Sequence, residues 1–290
     1  MYHYVPFAEI EKNKWNGTVH YSPNGNIYGY YWYLKAILKE WDAIVEDDYE
    51  TVFPIITRPL LKEEYWSIPE LGPYSVNFLS PQRLDAIFSQ AIAYQAASLY
   101  PINREIPSEY FQNQQKTYTK QAYQIIETKS TYQQLKEKFS PSAIALIDRD
   151  NKDHFKIMSG LKPEEIVKYG DIPNHYKNGL MRVMYNAMHR GIGFSSAIKN
   201  KTTNQIESIS FFAVSNNRVE EIYEFNINLE ARIILLDLLL RNNEGKPHKI
   251  VLKDSPNIGK ELGFAKDYHR YVQVKKSSLT GLKRVLGIQH

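Results

Sequence analysis

The sequence predicts an α+β chain of two domains, residues 1–140 and 141–290, each a mainly antiparallel mixed sheet flanked by helices. Three observations carry that expectation. The chain has 290 residues, more than the roughly 150 that a single domain usually takes. Hydrophobic residues make up 43% and charged residues 23%, the balance of a chain that folds. The second half also runs helix, strand hairpin, third strand, buried helix, strand, short helix, strand. The first half follows this order more loosely, and no repeat of letters appears at a period of about 20–50 residues.

In the first half, residues 7–16 (FAEIEKNKWN) read as a short helix, followed by dense turn chemistry in SPNGN at 22–26. Residues 27–38 (IYGYYWYLKAIL) are apolar and aromatic enough for a buried helix or helix–strand unit. Residues 43–58 read as two strands around an Asp47–Asp48 turn, with Pro54 demoting its strand toward an edge or a bulge. EYWSIP at 64–69 reads as another strand. Ser80-Pro81 opens a helix over 82–97, where Leu84, Ile87, Ile92 and Ala96 fall near helical spacing. Strands at 98–103 and 116–128 and a helix at 131–139 complete this half.

In the second half, strand 153–160 and helix 161–170 lead into an amphipathic helix, 178–191, closed by Gly191 and Gly193. Met181, Met184 and Met188 lie along it at core spacing. Strands 194–200 and 207–216 form a hairpin around KTTNQ, and strand 218–226 follows. Helix 228–243 (NLEARIILLDLLLRNN) is apolar on nearly every side, so it is expected to be buried between layers with Ile233, Leu236 and Leu240 in the core. Strand 248–254, short helix 255–264 and strand 268–276 end the series.

Composition narrows the chemistry. The absence of cysteine excludes disulfides, cysteine-ligated zinc, iron–sulfur clusters and thiol nucleophiles, and suits a cytoplasmic location. No apolar run approaches the ~18 residues of a membrane span, and the first twenty residues carry no signal-peptide pattern. The eight His are scattered, so no metal is expected. Asp148, Asp150 and Asp153 suggest a calcium loop but lack its Gly and its Glu. Residues 241–290 hold eleven Lys or Arg against four Asp or Glu. This basic end reads either as a solvated tail or as a footprint for an anionic partner. Residues 275–290 set Leu279, Leu282 and Leu286 among Lys275, Lys276, Lys283 and Arg284, the pattern of a short basic amphipathic helix.

The order of elements resembles the GNAT acyltransferase fold. Helix 178–191 resembles its leading helix, and strands 194–200, 207–216 and 218–226 its central antiparallel strands. Helix 228–243 is similar to its cofactor-facing helix. The whole chain resembles the tandem-GNAT, FemABX-like proteins of bacteria. The most specific stretch is 14–55, KWNGTVHYSPNGNIYGYYWYLKAILKEWDAIVEDDYETVFPI, which looks like the opening of uncharacterised members of that group. The resemblance implies an acyl- or aminoacyltransferase whose donor is either acyl-CoA or aminoacyl-tRNA. Its acceptor would be an amine of a small molecule or cell-wall precursor, and tRNA would be a partner in the second case.

The same resemblance places the cofactor turn at residues 225–232, FNINLEAR, where Asn226, Asn228, Leu229, Ala231 and Arg232 would face the donor. GNAT proteins resemble one another here in a glycine-containing turn whose backbone N–H groups hold the pyrophosphate. This stretch has no glycine and sets Glu230 in the first helical turn, a carboxylate that suits the helix dipole but repels phosphate. Arg232 either offsets that charge or pairs with Glu230. Glu224, near the end of strand 218–226, stands where a base would take the proton of an attacking amine; the alternative is an ordinary solvent-facing Glu. Strict alternation puts Glu220, Ile222, Glu224 and Asn226 on one face and Glu221, Tyr223 and Phe225 on the other. The stretch that would supply the general acid, SPNIGKELGF, contains no Tyr, so Tyr268 is the nearest replacement. The alternative to an enzyme is a GNAT-like binding module that has lost its phosphate loop.

Overall fold

The structure, a computed structural model, describes residues 1–94, 99–106, 117–149, 154–253 and 255–273. The basic segment at 275–290, Ala96, Asp150 and Asp153 lie outside the described residues. The chain divides into two compact units. One is Met1–Lys120 with the C-terminal strand from His269 onward, and the other is Gln121–Tyr268. The expected boundary at 140 thus falls inside the second unit, and the last strand passes back into the first.

The first unit opens with strand β1 (Tyr2–Val5), helix α1 (Lys12–Tyr21) and helix α2 (Tyr31–Leu38). Strands β2 (Asp42–Glu46) and β3 (Thr51–Ile55) form the expected hairpin. With the short β4 (Tyr74–Ser75) they make an antiparallel sheet in the order β1-β2-β3-β4. Pro54 fits because β4 pairs only with Thr51 and Val52, so β3 is an edge beyond that point. The tryptophans build the core: the Trp15 and Trp41 rings lie 4.5 Å apart, and both are fully buried. The Trp15 indole donates to Gly29 O at 2.8 Å. Gly29 is required there, since a Cβ would stand 2.4 Å from the Tyr74 ring.

The sequence predicts a strand over 64–69, but residues 64–67 belong to helix α3 (Lys62–Ser67), with Ile68 as its C-cap. The reason lies in its first turn, where Glu64 folds back to accept from the Leu61 N–H at 2.8 Å and pairs with Arg58. Helix α4 (Pro81–Tyr94) follows Ser80-Pro81, and strand β5 (Leu99–Ile102) follows it. Strand β6 (Thr117–Glu127) then carries the chain into the second unit.

The second unit continues with helices α5 (Tyr132–Lys136) and α6 (Pro141–Asp148) and strand β7 (Phe155–Ser159). Helix α6 went unread in the sequence although it carries the same signal as α4: Ser140 Oγ accepts from the Ala143 N–H at 3.0 Å, with Pro at the first helical position. Helices α7 (Pro163–Ile166) and α8 (Asn174–His189) come next. Strands β8 (Gly193–Asn200), β9 (Ile206–Ser215) and β10 (Arg218–Asn226) form the antiparallel meander. Helix α9 (Leu229–Asn243), strand β11 (Lys249–Lys253), helix α10 (Pro256–Leu262) and strand β12 (Ala265–Gln273) complete the chain. Within this unit the strand order is β6-β11-β10-β9-β8-β7, and β10–β11 is a parallel pair. In the first unit, Arg270–Gln273 of β12 pair antiparallel with β5.

Helix α9 is buried as expected, with Ile233, Leu236 and Leu240 in one core with Leu135, Phe212 and Ile250. Removing one of these side chains leaves a cavity between helix and sheet. Leu236→Ala is therefore expected to cost about 2–5 kcal/mol in a chemical-denaturation midpoint analysis. A loss below about 1 kcal/mol would place Leu236 outside the packed face.

Candidate functional site

Strands β10 and β11 are hydrogen-bonded neighbours only at Arg218–Lys249, Val219–Ile250 and Glu220–Val251. Beyond that point β10 stays paired with β9 as far as Asn226, and β11 stays paired with β6 as far as Lys253. The two strands therefore lose each other's ladder after Glu220 and Val251. The register of β10 against β9 also slips there: Glu221 faces Phe212, Tyr223 faces Phe211, and Ile222 is the extra residue of a bulge.

The bulge overturns the strict alternation read from the sequence. Glu221 and Glu224, expected on opposite faces, both reach the same guanidinium. Arg232, one turn into α9, is fully buried. Its Nη2 donates to Glu221 Oε1 and Oε2 at 2.7 and 2.9 Å and lies 3.0 Å from Glu224 Oε2. Its Nη1 donates to the Ser210 hydroxyl, which in turn donates to Glu221 Oε1 at 2.7 Å. Burial works against the guanidinium's charge, but Glu221 and Glu224 together outweigh it and hold it above its ordinary value. Glu221 Oε2 also accepts the backbone N–H of Lys253 at 3.2 Å. A side chain thus spans the two strands just where their backbone ladder has ended.

Arg232 therefore does not pair with Glu230, and its guanidinium is already committed in the interior. Glu230 is exposed and lies 3.2 Å from Arg149. Asn228 is the N-cap of α9: its Oδ1 accepts from the Glu230 N–H at 2.9 Å, and its Nδ2 donates to Glu207 at 2.7 Å. Asn226 and Leu229 are exposed, and Ala231 is buried. Of the five residues expected to face a cofactor, two are thus engaged in structural roles at the end that would hold its phosphates.

Glu224 sits at the edge of the buried network with its side chain 25% exposed, held by Arg232. Tyr268, expected as the acid, is 46% exposed on β12; its backbone N–H donates to Asp267, and Lys266 lies over its ring. The residue that sequence reading missed is Lys253. Burial draws its ammonium below the ordinary lysine value, while the charges of Glu224 and Glu221 pull the other way. Lys253 closes β11 at a half-buried position, as many strand-end lysines do, so the sequence carried no signal for it. Tyr223 lies against the same network. Burial, and after it the charge of Glu224, pushes its phenol up to about 12, and its hydroxyl donates to Tyr169 O.

No family model and no curated protein matches the sequence. Solved structures do match its fold. FemX aligns over 96% of this chain and 99% of its own at 10% identity, with a TM-score of 0.66. L-PGS from Bacillus licheniformis covers 96% of this chain and 97% of its own at 9% identity and TM-score 0.56. A tandem GNAT protein from the clavulanic acid biosynthesis pathway covers 96% and 100% at 9% identity, also with TM-score 0.56. The chain shares its α+β fold with these three proteins. Among the described residues no helix is long and apolar enough to cross a membrane, and no group of three or more His, Asp or Glu is arranged to hold a metal.

The phenol of Tyr223 gives the site a pH signature. Its value is raised in the folded state, from 10 to about 12, so the folded protein keeps a proton that the unfolded chain releases. This contribution to stability is whole below pH ~10 and is lost as the pH rises through ~12. Denaturant unfolding at pH ~9 and ~11.5 is expected to show a larger loss for the wild type than for Tyr223→Phe. Equal losses would mean that the phenol is not held neutral by its surroundings.

Proposed function

We propose that the chain is an N-acyl- or aminoacyltransferase that joins a carboxylic donor to an amine of a small molecule or cell-wall precursor. The observation that carries this reading is the parting of β10 and β11 with Glu224 and Lys253 beside the gap. The likeness of fold to FemX and to a tandem GNAT protein supports the reaction class. In the reaction, Glu224 takes a proton from the acceptor's ammonium, which is not nucleophilic until it loses one. The freed amine nitrogen attacks the donor's carbonyl carbon, and a carbon–nitrogen bond forms. The bond from that carbon to the donor's thioester sulfur or ester oxygen breaks, the leaving group takes a proton from the Tyr268 phenol, and the new amide nitrogen gives up its second proton to the phenolate through solvent. Arg232 holds Glu224 in place rather than touching the donor. Lys253, with its ammonium weakened by burial, stands beside Glu224 as a second polar group facing the acceptor.

The capped, glycine-free start of α9 favours aminoacyl-tRNA over acyl-CoA as donor. It also favours, as a second reading, a GNAT-like binding module that has lost its phosphate loop. Calorimetric titration with acetyl-CoA is expected to give a dissociation constant weaker than about 1 μM, the equivalent of about −8 kcal/mol. Tighter binding would restore an ordinary CoA-dependent enzyme. Aminoacyl-tRNA is expected to bind with an affinity that falls steeply with salt and that weakens when Lys275, Lys276, Lys283 and Arg284 are neutralised together. With the donor that binds, Glu224→Gln is expected to lower kcat about 100-fold or more with KM little changed. If neither donor binds, the protein is the binding module and Glu224→Gln leaves its binding unchanged.

A further inference from the structure

Lysines on a folded chain are usually paired or fully solvated, and Lys253 is neither. Lys14 shows the paired case: it lies 3.0 Å from Glu11 and 2.6 Å from Asp48, and hydrogen bonds to these carboxylates hold its ammonium above its ordinary value. Lys156 shows the solvated case, exposed on β7. Lys253 ends β11 at a half-buried position, where the stem of a lysine is covered and its tip stays within reach of solvent. Ile250 and Leu252 before it are packed in the core with α9. Lys253 is thus the residue at which β11 leaves that core, beyond the last bond to β10. Its backbone N–H donates to Glu221 at 3.2 Å, which fixes the start of the side chain.

Among the described residues no hydrogen bond or ion pair holds the Lys253 ammonium. The groups that could do so are directed elsewhere. Glu221 and Glu224 both meet Arg232. Tyr123, opposite Lys253 in the β11–β6 ladder, donates its hydroxyl to Asp267 at 2.5 Å. The two glutamates therefore act on the lysine through their charge without touching it, and burial outweighs that pull. A larger share of the amine is unprotonated than at an exposed lysine, and only the unprotonated amine attacks a carbonyl. The same two carboxylates disfavour the approach of an anion. The position therefore combines a nucleophile with a preference for an uncharged electrophile.

We propose that Lys253 is a site of covalent acylation by small uncharged thioesters that reach the parted ends of β10 and β11. The lysine nitrogen attacks the thioester carbonyl carbon and a carbon–nitrogen bond forms. The carbon–sulfur bond breaks, and the proton that the nitrogen loses passes through solvent to the departing sulfur. The product is an amide, which does not hand its acyl group on, so the acylated lysine is a modification and not an intermediate of transfer. The proposal stands whether or not the chain is a transferase, since it needs only a thioester and the lysine. The probe is S,N-diacetylcysteamine, incubated with the full-length protein, with acetylation at each lysine followed over time by peptide mass spectrometry. Lys253 is expected to react about tenfold or more faster than Lys14 and Lys156. Acetyl phosphate, an anion, is expected to give a smaller lead. In guanidinium chloride, where the fold is lost, the lead is expected to vanish. Lys253→Arg is expected to abolish the first, fast acetylation of the intact protein. If Lys253→Arg does not fold, the rates at individual lysines of the wild type still decide the matter. A rate at Lys253 no greater than at Lys156, an equal lead with acetyl phosphate, or a lead that survives denaturation would overturn the proposal.

Discussion

A guanidinium taken wholly out of water has to be neutralised where it sits, and Arg232 is such a group. Its burial would be prohibitive without charge and hydrogen bonds matched to its fork. Ser210 on β9, Glu221 and Glu224 on β10, and through Glu221 the backbone of Lys253 on β11, supply that match. Only Nε is left without a partner among the described residues. One side chain from α9 therefore fixes the helix against three strands. It does so at the position where two of those strands cease to be bonded to each other. In a regular strand, residues three apart point to opposite faces. The bulge at Ile222 removes that obstacle, so the irregularity in β10 and the burial of Arg232 are two sides of one arrangement.

This arrangement limits what α9 can do at its N-terminus. The amide of Glu230 is satisfied by the Asn228 cap, and the only cation in the first turn is directed into the core. Phosphate recognition by helix N-termini needs open N–H groups and a favourable field. Here the first turn presents a carboxylate instead. The groups with unusual proton affinity, Lys253 and Tyr223, gather at the parted strands rather than at the helix end. The acid–base character of the unit is therefore separated from the place where a nucleotide would be expected to sit.

Much of the fold was legible from periodicity and turn chemistry. The Asp47–Asp48 hairpin, the three-stranded meander of β8 to β10 and the buried α9 all follow from local pattern, because each has a long apolar face or an unmistakable turn. Helix α3 was not legible, because EYWSIP is rich in residues that favour strands, and its helical start depends on Glu64 reaching back to Leu61. The site was legible only in part. Glu224 and Arg232 could be singled out, but not their contact, since a bulge leaves no mark in an alternating pattern. Arg232 reads as a residue that offsets or pairs with Glu230 beside the donor until the fold shows Glu221 opposite it. Lys253 reads as the ordinary end of a strand, because the burial that lowers its proton affinity comes from packing that only the fold creates.

The most direct test is a double-mutant cycle between Arg232 and Glu221, using Arg232→Met, Glu221→Gln and the pair together, read as unfolding free energies in denaturant. Each single change strands a buried polar partner, whereas the double change removes both charges at once. A coupling of about 2 kcal/mol or more is expected, with the double variant more stable than the sum of the two losses allows. Additive losses, with a coupling inside about 0.5 kcal/mol, would show that the guanidinium does not tie α9 to the bulged strand, and would remove the basis for placing the reacting groups there.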